Sequence, residues 1–166
     1  MGLFRKSEKP DNVNERQSEA SNGSGVLVME NILIGEKSVD KISAIERAGQ
    51  LLVNGGYVMP EYIEAMKERE RVLTTYIGNG IAIPHGVGAA KNLILKSGIS
   101  IIQYPQGVVF DEGKVAYLVV GIAGKGNEHM QILTNLAEFI QDEDAIKDLF
   151  TTTDKKKIYD AFTSQV

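Results

Sequence analysis

The stretch that decides the fold is VAYLVVGIA, Val115 to Ala123. Its apolar residues are nearly continuous, which is typical of a strand buried on both faces and predicts a central position in a sheet. After Gly124–Gly126 the apolar period changes from two to 3.6, as in an amphipathic helix. The predicted helical stripe contains Met130, Leu133, Ala137 and Ile140. A buried strand therefore leads through a short glycine-containing turn into a helix.

Strand and helix patterns also alternate along most of the remaining chain. Extended or strand segments are expected at Val26–Ile34, Thr74–His85 and Lys96–Tyr104. The second of these is expected to form two short strands, or one bent strand, and to stop at Pro84. Helices are expected after the N-cap candidate Asp40, from Pro60 to about Arg69, from Asp142 to Phe150 and from Lys155 to Phe162. This mixture predicts an α/β layer structure.

Composition limits the classes of function. The length of 166 residues, with 43% hydrophobic residues, fits a single domain. Residues 1–25 are polar and predict a disordered tail, a linker or a tag, so the functional domain is expected at residues 26–166. The formal net charge of −4 argues against a nucleic-acid partner. No apolar run is long enough to span a bilayer, so we expect a cytoplasmic protein without membrane insertion.

The absence of cysteine excludes a disulfide framework, a zinc–thiolate site and a thiol nucleophile. The two histidines, His85 and His129, are then the scarce reactive side chains. His85 follows the alternating pair Ile81 and Ile83, so it is expected on their side of the strand, at its carboxyl end. Open α/β sheets bind ligands at that edge.

His129 follows the central strand by six residues and is expected in the first turn of the next helix, with Asn127 as the N-cap. A helix start offers free N–H groups and partial positive charge, which suit an anion. If the two strands are neighbours, both imidazoles face one small cleft. A neutral imidazole is nucleophilic near pH 7, and phosphoryl transfer needs positioned donors more than an acid or a base.

Arg69 is the arginine best placed to serve such an anion, because it ends a helix face that begins with Tyr62 and Met66. Arg71 is a competitor, and either arginine could simply offset the helix dipole. Each histidine could likewise be a structural residue at the end of a strand or the start of a helix. A metal site using Glu128 and His129 is a weaker alternative, since adjacent residues on a helix diverge and zinc needs three or four ligands.

Three segments resemble the mannitol/fructose-type enzyme IIA family of the bacterial phosphotransferase system. TYIGNGIAIPHG, Thr75 to Gly86, is similar to the family's phosphorylation-site motif. GIAGKGNEHMQIL, Gly121 to Leu133, resembles the second active-site segment of the mannitol branch. NGGYVMPEYIEAMKERE, Asn54 to Glu70, resembles a helical segment of the family, and QYPQGV, Gln103 to Val108, also points to the mannitol branch. The likeness runs from about Met29 to Phe162.

The resemblance implies a single domain with a mixed, mainly parallel β-sheet flanked by helices. It also implies a phosphotransferase in which His85 accepts a phosphoryl group through Nε2 from the histidine phosphocarrier protein. The group would then pass to a cysteine of the mannitol enzyme IIB domain of the IICB permease, and finally to mannitol during uptake. Arg69 and His129 match the residues that stabilise the phosphoryl oxygens, and no metal or cofactor is implied. A nitrogen-regulatory relative, which binds other proteins according to its phosphorylation state, is the alternative.

Overall fold

Residues 25–164 are described in the computed structural model of the chain, and within them the chain forms five strands and five α-helices. The strands are β1 (Ile32–Leu33), β2 (Tyr76–Gly78), β3 (Ile81–Ala82), β4 (Gly98–Asp111) and β5 (Lys114–Ala123). The helices are α1 (Lys41–Asn54), α2 (Tyr62–Val72), α3 (Met130–Gln141), α4 (Glu143–Thr151) and α5 (Lys155–Thr163). Apart from Gly25, the predicted tail at residues 1–25 lies outside the described range.

The strands form one sheet in the order β1-β4-β5-β3-β2. The pairs β1–β4 and β3–β5 are parallel, whereas β4–β5 and β2–β3 are antiparallel. β5 occupies the middle of the sheet, as its continuous apolar sequence predicts. The mixed sheet flanked by helices is confirmed, with parallel pairing in two of these four pairs. The antiparallel share is large because β4 and β5 are consecutive strands joined by a tight turn at Glu112-Gly113.

The first helix begins where the sequence predicts. The Asp40 carboxylate caps α1 by accepting a hydrogen bond of 2.9 Å from the Ser43 amide. After α1, Gly56 has φ 81°, a left-handed conformation that glycine adopts without a steric penalty. The second helix is shifted from its prediction. α2 begins at Tyr62, two residues after Pro60, and continues past Arg69 to Val72.

Two predicted strands have different lengths in the structure. Most of Val26–Ile34 is not paired as a strand, because Met29–Asn31 forms a 3-10 turn and only Ile32–Leu33 pairs with β4. β4 runs beyond the predicted Tyr104 to Asp111. It does so through an irregular segment that shifts the register against β5 between Gln103 and Val108. This bulge accommodates Pro105, which has no N–H for the ladder.

Apolar side chains cover both faces of the sheet, and the helices divide between these faces. α1 and α2 pack on one face through a cluster that includes Ala48, Leu52, Tyr62, Met66, Ile102 and Val119. α3, α4 and α5 pack on the other through a cluster that includes Ile101, Leu118, Val120, Ile132, Leu149 and Phe162. β5 contributes to both clusters, which explains its lack of polar alternation. The result is a three-layer arrangement, with α2 and α3 on opposite faces.

Candidate functional site

The candidate site lies where β3 and β5, which run parallel, reach their carboxyl ends at the same edge of the sheet. Beyond β3, His85 pairs with Ile122 in an isolated parallel bridge, and the Ile122 amide donates to the Pro84 carbonyl at 3.0 Å. The prediction that pairing stops at Pro84 is therefore wrong. Proline lacks a donor, but its carbonyl still accepts, so pairing continues to His85.

The His85 side chain is half-buried, and its Nδ1 lies 2.7 Å from the Ile83 carbonyl oxygen. A carbonyl oxygen can only accept a hydrogen bond, so Nδ1 carries the hydrogen. In the neutral ring, Nε2 is then the nitrogen with the free lone pair. The local backbone thus orients the imidazole and selects the tautomer in which Nε2 is the nucleophilic atom.

A cavity of about 320 Å³ lies beside His85, between the sheet and α3. Its lining is otherwise apolar and consists of Ile77, Ile83, Ile122, Leu133, Leu136, Ala137 and Ile140. Ile83 and His85 share this cavity, which agrees with the prediction that the histidine leaves the strand on the isoleucine side. The imidazole therefore has one apolar side and one open side.

His129 is the residue immediately before α3, two positions earlier relative to the helix than the predicted Asn127 cap would place it. No side chain in residues 25–164 caps this helix, so the predicted capping role of Asn127 is wrong. Asn127 instead contributes its carbonyl, which accepts from the Met130 amide at 3.1 Å. The His129 ring lies directly against Gly124, at a position that a Cβ atom on that residue would invade.

The two nitrogens of His129 have different surroundings. Nδ1 is buried, and none of the described residues offers it a hydrogen-bond partner. A buried N–H without an acceptor costs more than a buried lone pair, so the favoured neutral tautomer carries its hydrogen on Nε2. Burial lowers the pKa of His129 below its ordinary value, and the positive charge of Lys91 lowers it further, while Glu128 opposes both effects. His129 is therefore a neutral N–H donor near pH 7.

The structure brings the two imidazoles to the same edge of the sheet. His85 is paired with Ile122 and shares its cavity with Leu133 of α3. Leu133 is one helical turn from His129, whose carbonyl accepts from the Leu133 amide at 3.2 Å. Both histidines thus lie around the end of β5 and the start of α3, as the sequence analysis expected for neighbouring strands.

Arg69 lies on the other side of this edge, because α2 packs on the opposite face of the sheet. It lines a mostly apolar groove of about 550 Å³ with Val87, which is two residues after His85. Its guanidinium donates to the Leu73 carbonyl at the end of α2. Among the described residues, no hydrogen bond joins Arg69 to either imidazole. The competitor Arg71 is paired with the exposed Glu68.

Two further residues, which residue spacing did not indicate as site residues, also reach this region. Lys91 lies close enough to His129 to lower its pKa, although it is separated from it by 38 positions in the chain. The Tyr62 hydroxyl contacts the backbone beside His85. Their proximity depends on how the 3-10 turn Gly88–Leu93 and α2 pack against the sheet edge, which residue spacing alone does not specify.

Other kinds of site find little support in the described residues. Within residues 25–164, no group of three or more His, Cys, Asp or Glu side chains is arranged to hold a metal ion. In the same range, none of the helices combines the length and the apolar character that crossing a membrane requires.

Comparison with known proteins then identifies the family. The family described as "Phosphoenolpyruvate-dependent sugar phosphotransferase system, EIIA 2" matches residues 26–165. The chain belongs to this family. The resemblance noted in the sequence is confirmed, and the EIIA 2 fold is the mixed sheet flanked by helices described above. As an enzyme IIA component, the chain is a phosphotransferase.

Individual relatives of this EIIA 2 chain include mannitol-type proteins. It is 46% identical over 137 residues to the mannitol-specific phosphotransferase enzyme IIA component of Bacillus subtilis, covering 82% of this chain and 96% of the relative. It is 48% identical over 129 residues to the mannitol-specific EIICBA component of Escherichia coli, covering 76% of this chain. The chain spans 20% of the length of that larger protein.

Solved structures also show similarity to mannitol-type proteins. The crystal structure of mannitol IIA from Escherichia coli matches with a TM-score of 0.74 and 44% identity, covering 81% of this chain and 97% of that chain. A complex of Escherichia coli IIA with phosphorylated enzyme IIB matches with a TM-score of 0.73 and 42% identity, covering 82% and 96%. Both are IIA proteins of the mannitol system.

Proposed function

We propose that this EIIA 2 chain carries a phosphoryl group on Nε2 of His85. It accepts the group from the histidine phosphocarrier protein and passes it to the cysteine of a mannitol enzyme IIB domain, which phosphorylates mannitol during uptake. We further propose that residues 26–166 form the phosphocarrier domain and that it works in the cytoplasm, where both the phosphocarrier protein and the IIB domain of the permease can reach it.

One observation carries this proposal, namely the contact of 2.7 Å between His85 Nδ1 and the Ile83 carbonyl. This contact leaves Nε2 with its lone pair on the half-buried side chain, at the open end of the β3–β5 pair. In the transfer, this lone pair forms a bond to phosphorus while the bond between phosphorus and the donor's histidine nitrogen breaks. In the onward step, the acceptor thiolate forms the new bond to phosphorus and the His85 N–P bond breaks, which restores the neutral ring.

Two side chains supply stabilising donors. His129 offers a neutral Nε2–H to an equatorial phosphoryl oxygen, because its Nδ1 is buried without a partner. Arg69 offers a permanent positive charge, but its guanidinium is bound to the Leu73 carbonyl. We therefore propose that Arg69 exchanges this carbonyl for phosphoryl oxygens when His85 is phosphorylated, since a charged guanidinium–phosphate pair is stronger than a bond to a neutral carbonyl. His129 needs no such exchange, and donors fixed before the reaction lower the barrier most effectively.

The similar proteins support the choice of partners. The Bacillus subtilis relative is a separate enzyme IIA of nearly the same length as this domain. The Escherichia coli relative is seen bound to phosphorylated enzyme IIB. Both relatives are mannitol proteins, which favours a mannitol transporter over the nitrogen-regulatory alternative.

Reconstitution tests the proposal. Incubation with phosphoenolpyruvate, enzyme I and the histidine phosphocarrier protein should label the chain in an acid-labile, alkali-stable form. His85→Ala should abolish the label, whereas His129→Ala and Arg69→Gln should retain it but acquire it more slowly, by about 10- to 1,000-fold for loss of one stabilising donor. Labelling of His85→Ala at the parental rate would show that the acceptor is wrong.

Complementation separates transport from regulation. The labelled chain should restore mannitol uptake in a strain that lacks its own mannitol IIA, and His85→Ala should not. A chain that is labelled but never supports transfer to mannitol enzyme IIB would instead be a phosphorylation-dependent regulator.

A further inference from the structure

Tyr62 provides an inference that rests on the proposed function and extends it. We propose that the Tyr62 hydroxyl is a spacer built into the β3–β5 pairing, and that it positions His85 for phosphoryl transfer. Tyr62 is a positioning residue in this proposal, since its hydroxyl bonds to the backbone just after His85 and to the strand paired with it, and not to the imidazole.

The hydroxyl makes two hydrogen bonds. It accepts from the Gly86 amide at 2.9 Å and donates to the Ile122 carbonyl at 2.8 Å. Gly86 is the residue after His85, and Ile122 is the residue with which His85 is paired. A single side chain from α2 therefore connects both strands at the position of the proposed nucleophile.

The parallel ladder shows what the hydroxyl replaces. A residue paired in a parallel ladder is flanked by two inter-strand bonds. For His85, the first of these joins the Ile122 amide to the Pro84 carbonyl at 3.0 Å. The second would join the Gly86 amide to the Ile122 carbonyl, and these are the two groups that the Tyr62 hydroxyl connects. The oxygen of Tyr62 thus bonds to both partners of the second bond and connects the strands just beyond His85.

The surroundings of Tyr62 fix this arrangement. The side chain is only 1% exposed, and burial raises the pKa of its hydroxyl, so it stays protonated and can donate. A Cβ atom at Gly86 would lie 2.9 Å from Tyr62 Cε1 and 3.1 Å from Ala90 Cβ, so the ring fits against this glycine. The hydroxyl therefore has little freedom to leave its position between the Gly86 amide and the Ile122 carbonyl.

The spacer has a mechanistic consequence. On one side of His85 the Pro84 carbonyl bonds directly to the Ile122 amide, whereas on the other side the Tyr62 hydroxyl bonds to both strands. This asymmetry sets the direction in which the backbone leaves β3, and with it the position of Nε2 relative to His129 at the end of β5. Displacements of about 1 Å in such a site can lower a transfer rate about 100-fold.

Tyr62→Phe tests the proposal, because it removes the oxygen and keeps the ring. The Gly86 amide and the Ile122 carbonyl would then close directly, since leaving both buried groups unpaired is costly. Single-turnover transfer from the phosphorylated histidine phosphocarrier protein at saturating donor should be at least about 10-fold slower. The KM for that donor should change less than twofold, and the His85 imidazole and Gly86 amide resonances should shift.

Tyr57→Phe is the matched control. Tyr57 is also buried, at 4% exposure, and its hydroxyl donates to the Gly25 carbonyl at 2.7 Å. This variant should lower the melting temperature in the same way without slowing transfer. Equal slowing in both variants, or an unchanged rate and unchanged His85 resonances in Tyr62→Phe, would overturn the proposal.

The unsubstituted chain gives an independent test if Tyr62→Phe does not fold. The Tyr62 hydroxyl proton should be observable by NMR, with a nuclear Overhauser contact to a slowly exchanging Gly86 amide. Rapid exchange of that amide would contradict the spacer. If the parent chain is never phosphorylated, the proposed function fails, but these resonances still decide whether Tyr62 holds the His85 backbone.

Discussion

At the scale of single residues, the two imidazoles are distinguished by what surrounds Nδ1. In His85, Nδ1 faces the Ile83 carbonyl, so the hydrogen lies on Nδ1 and Nε2 is free to form a bond. In His129, Nδ1 is buried, with no partner among residues 25–164, so the hydrogen lies on Nε2. We therefore propose that the same side chain serves as a nucleophile at one position and as a donor at the other.

The first prediction concerns the pKa of His129. Burial and Lys91 lower it and Glu128 raises it, so titration followed by NMR should give a midpoint below the ordinary value of about 6.5. Lys91→Gln should raise the midpoint and Glu128→Gln should lower it. A midpoint above 6.5, or shifts of the same sign in both variants, would contradict the proposed environment.

The lowered pKa of His129 determines how the stability of the fold changes with pH. Because the folded pKa is lower than the unfolded one, the unfolded chain binds more protons between the two values. The contribution of neutral His129 to the free energy of unfolding is therefore fully present above about pH 6.5. It is lost as the pH falls through the pKa of His129 in the folded chain. Urea unfolding of the parent and of His129→Gln over this pH range should show that the variant loses less free energy of unfolding as the pH falls.

The second prediction concerns Gly124, against which the His129 ring lies. Gly124→Ala should displace the ring, because a Cβ would enter the space that the imidazole occupies. Labelling of His85 should then be slower by roughly 10- to 100-fold, since the donor is no longer in place. Gly25→Ala is the control, because its Cβ would meet no atom within 4 Å. Equal rates in both variants would argue against a role for the His129 ring.

Part of the site was predictable at this scale. His85 and His129 each follow an apolar strand by a few residues, which is enough to place them at a common edge once the strands are neighbours. Their tautomers were not predictable in this way, because they depend on which backbone groups lie within hydrogen-bonding distance. The orientation of Arg69 toward Leu73 also depends on packing that residue spacing does not record.

At the scale of elements, the buried carboxylate of Glu70 joins three segments that place Arg69 and the strands leading to His85. Glu70 is 3% exposed and accepts from the Thr75 amide at 2.8 Å and from the Thr75 hydroxyl at 2.7 Å. Lys41 of α1 lies 3.4 Å from its other oxygen. The carboxylate thus links the last turn of α2 to the segment leading into β2, and both to α1.

The third prediction follows from this linkage. Glu70→Ala should lower the free energy of unfolding by roughly 2–4 kcal/mol, because it leaves the buried Thr75 donors unpaired. Urea denaturation measures this loss. Glu68→Ala, two residues earlier on α2 and exposed, should change stability by less than about 0.5 kcal/mol. A loss in Glu70→Ala as small as that of the control would show that the linkage is unimportant.

The elements whose sequence has one dominant apolar or capping pattern were predicted best. β5 is central because its sequence is apolar on both faces, and α1 begins at Asp40 because a carboxylate there accepts the Ser43 amide. Prediction was weaker where tertiary pairing overrides a local signal. β4 continues past Pro105 because the bulge removes the need for an amide at that position. The start of α3 depends on backbone hydrogen bonds rather than on an Asn127 cap.

At the scale of the whole molecule, the site lies at a sheet edge between two helical layers. His129 immediately precedes α3 on one face, and His85 shares an apolar cavity with α3 residues on that face. Arg69 and Tyr62 belong to α2 on the other face. The three-layer fold therefore explains how residues from distant parts of the sequence lie around one edge of the sheet, where we propose that they act on one phosphoryl group.

NMR of the phosphorylated chain tests the central claim most directly. Phosphorus-31 and long-range nitrogen-15 spectra identify which imidazole nitrogen bears the phosphoryl group and which nitrogen of each ring bears a hydrogen. The expected result is a single phosphohistidine bonded through Nε2 of His85, with a hydrogen on its Nδ1, and with His129 unphosphorylated and protonated on Nε2. Phosphorus bonded to Nδ1 of His85, or to either nitrogen of His129, would contradict the proposed site.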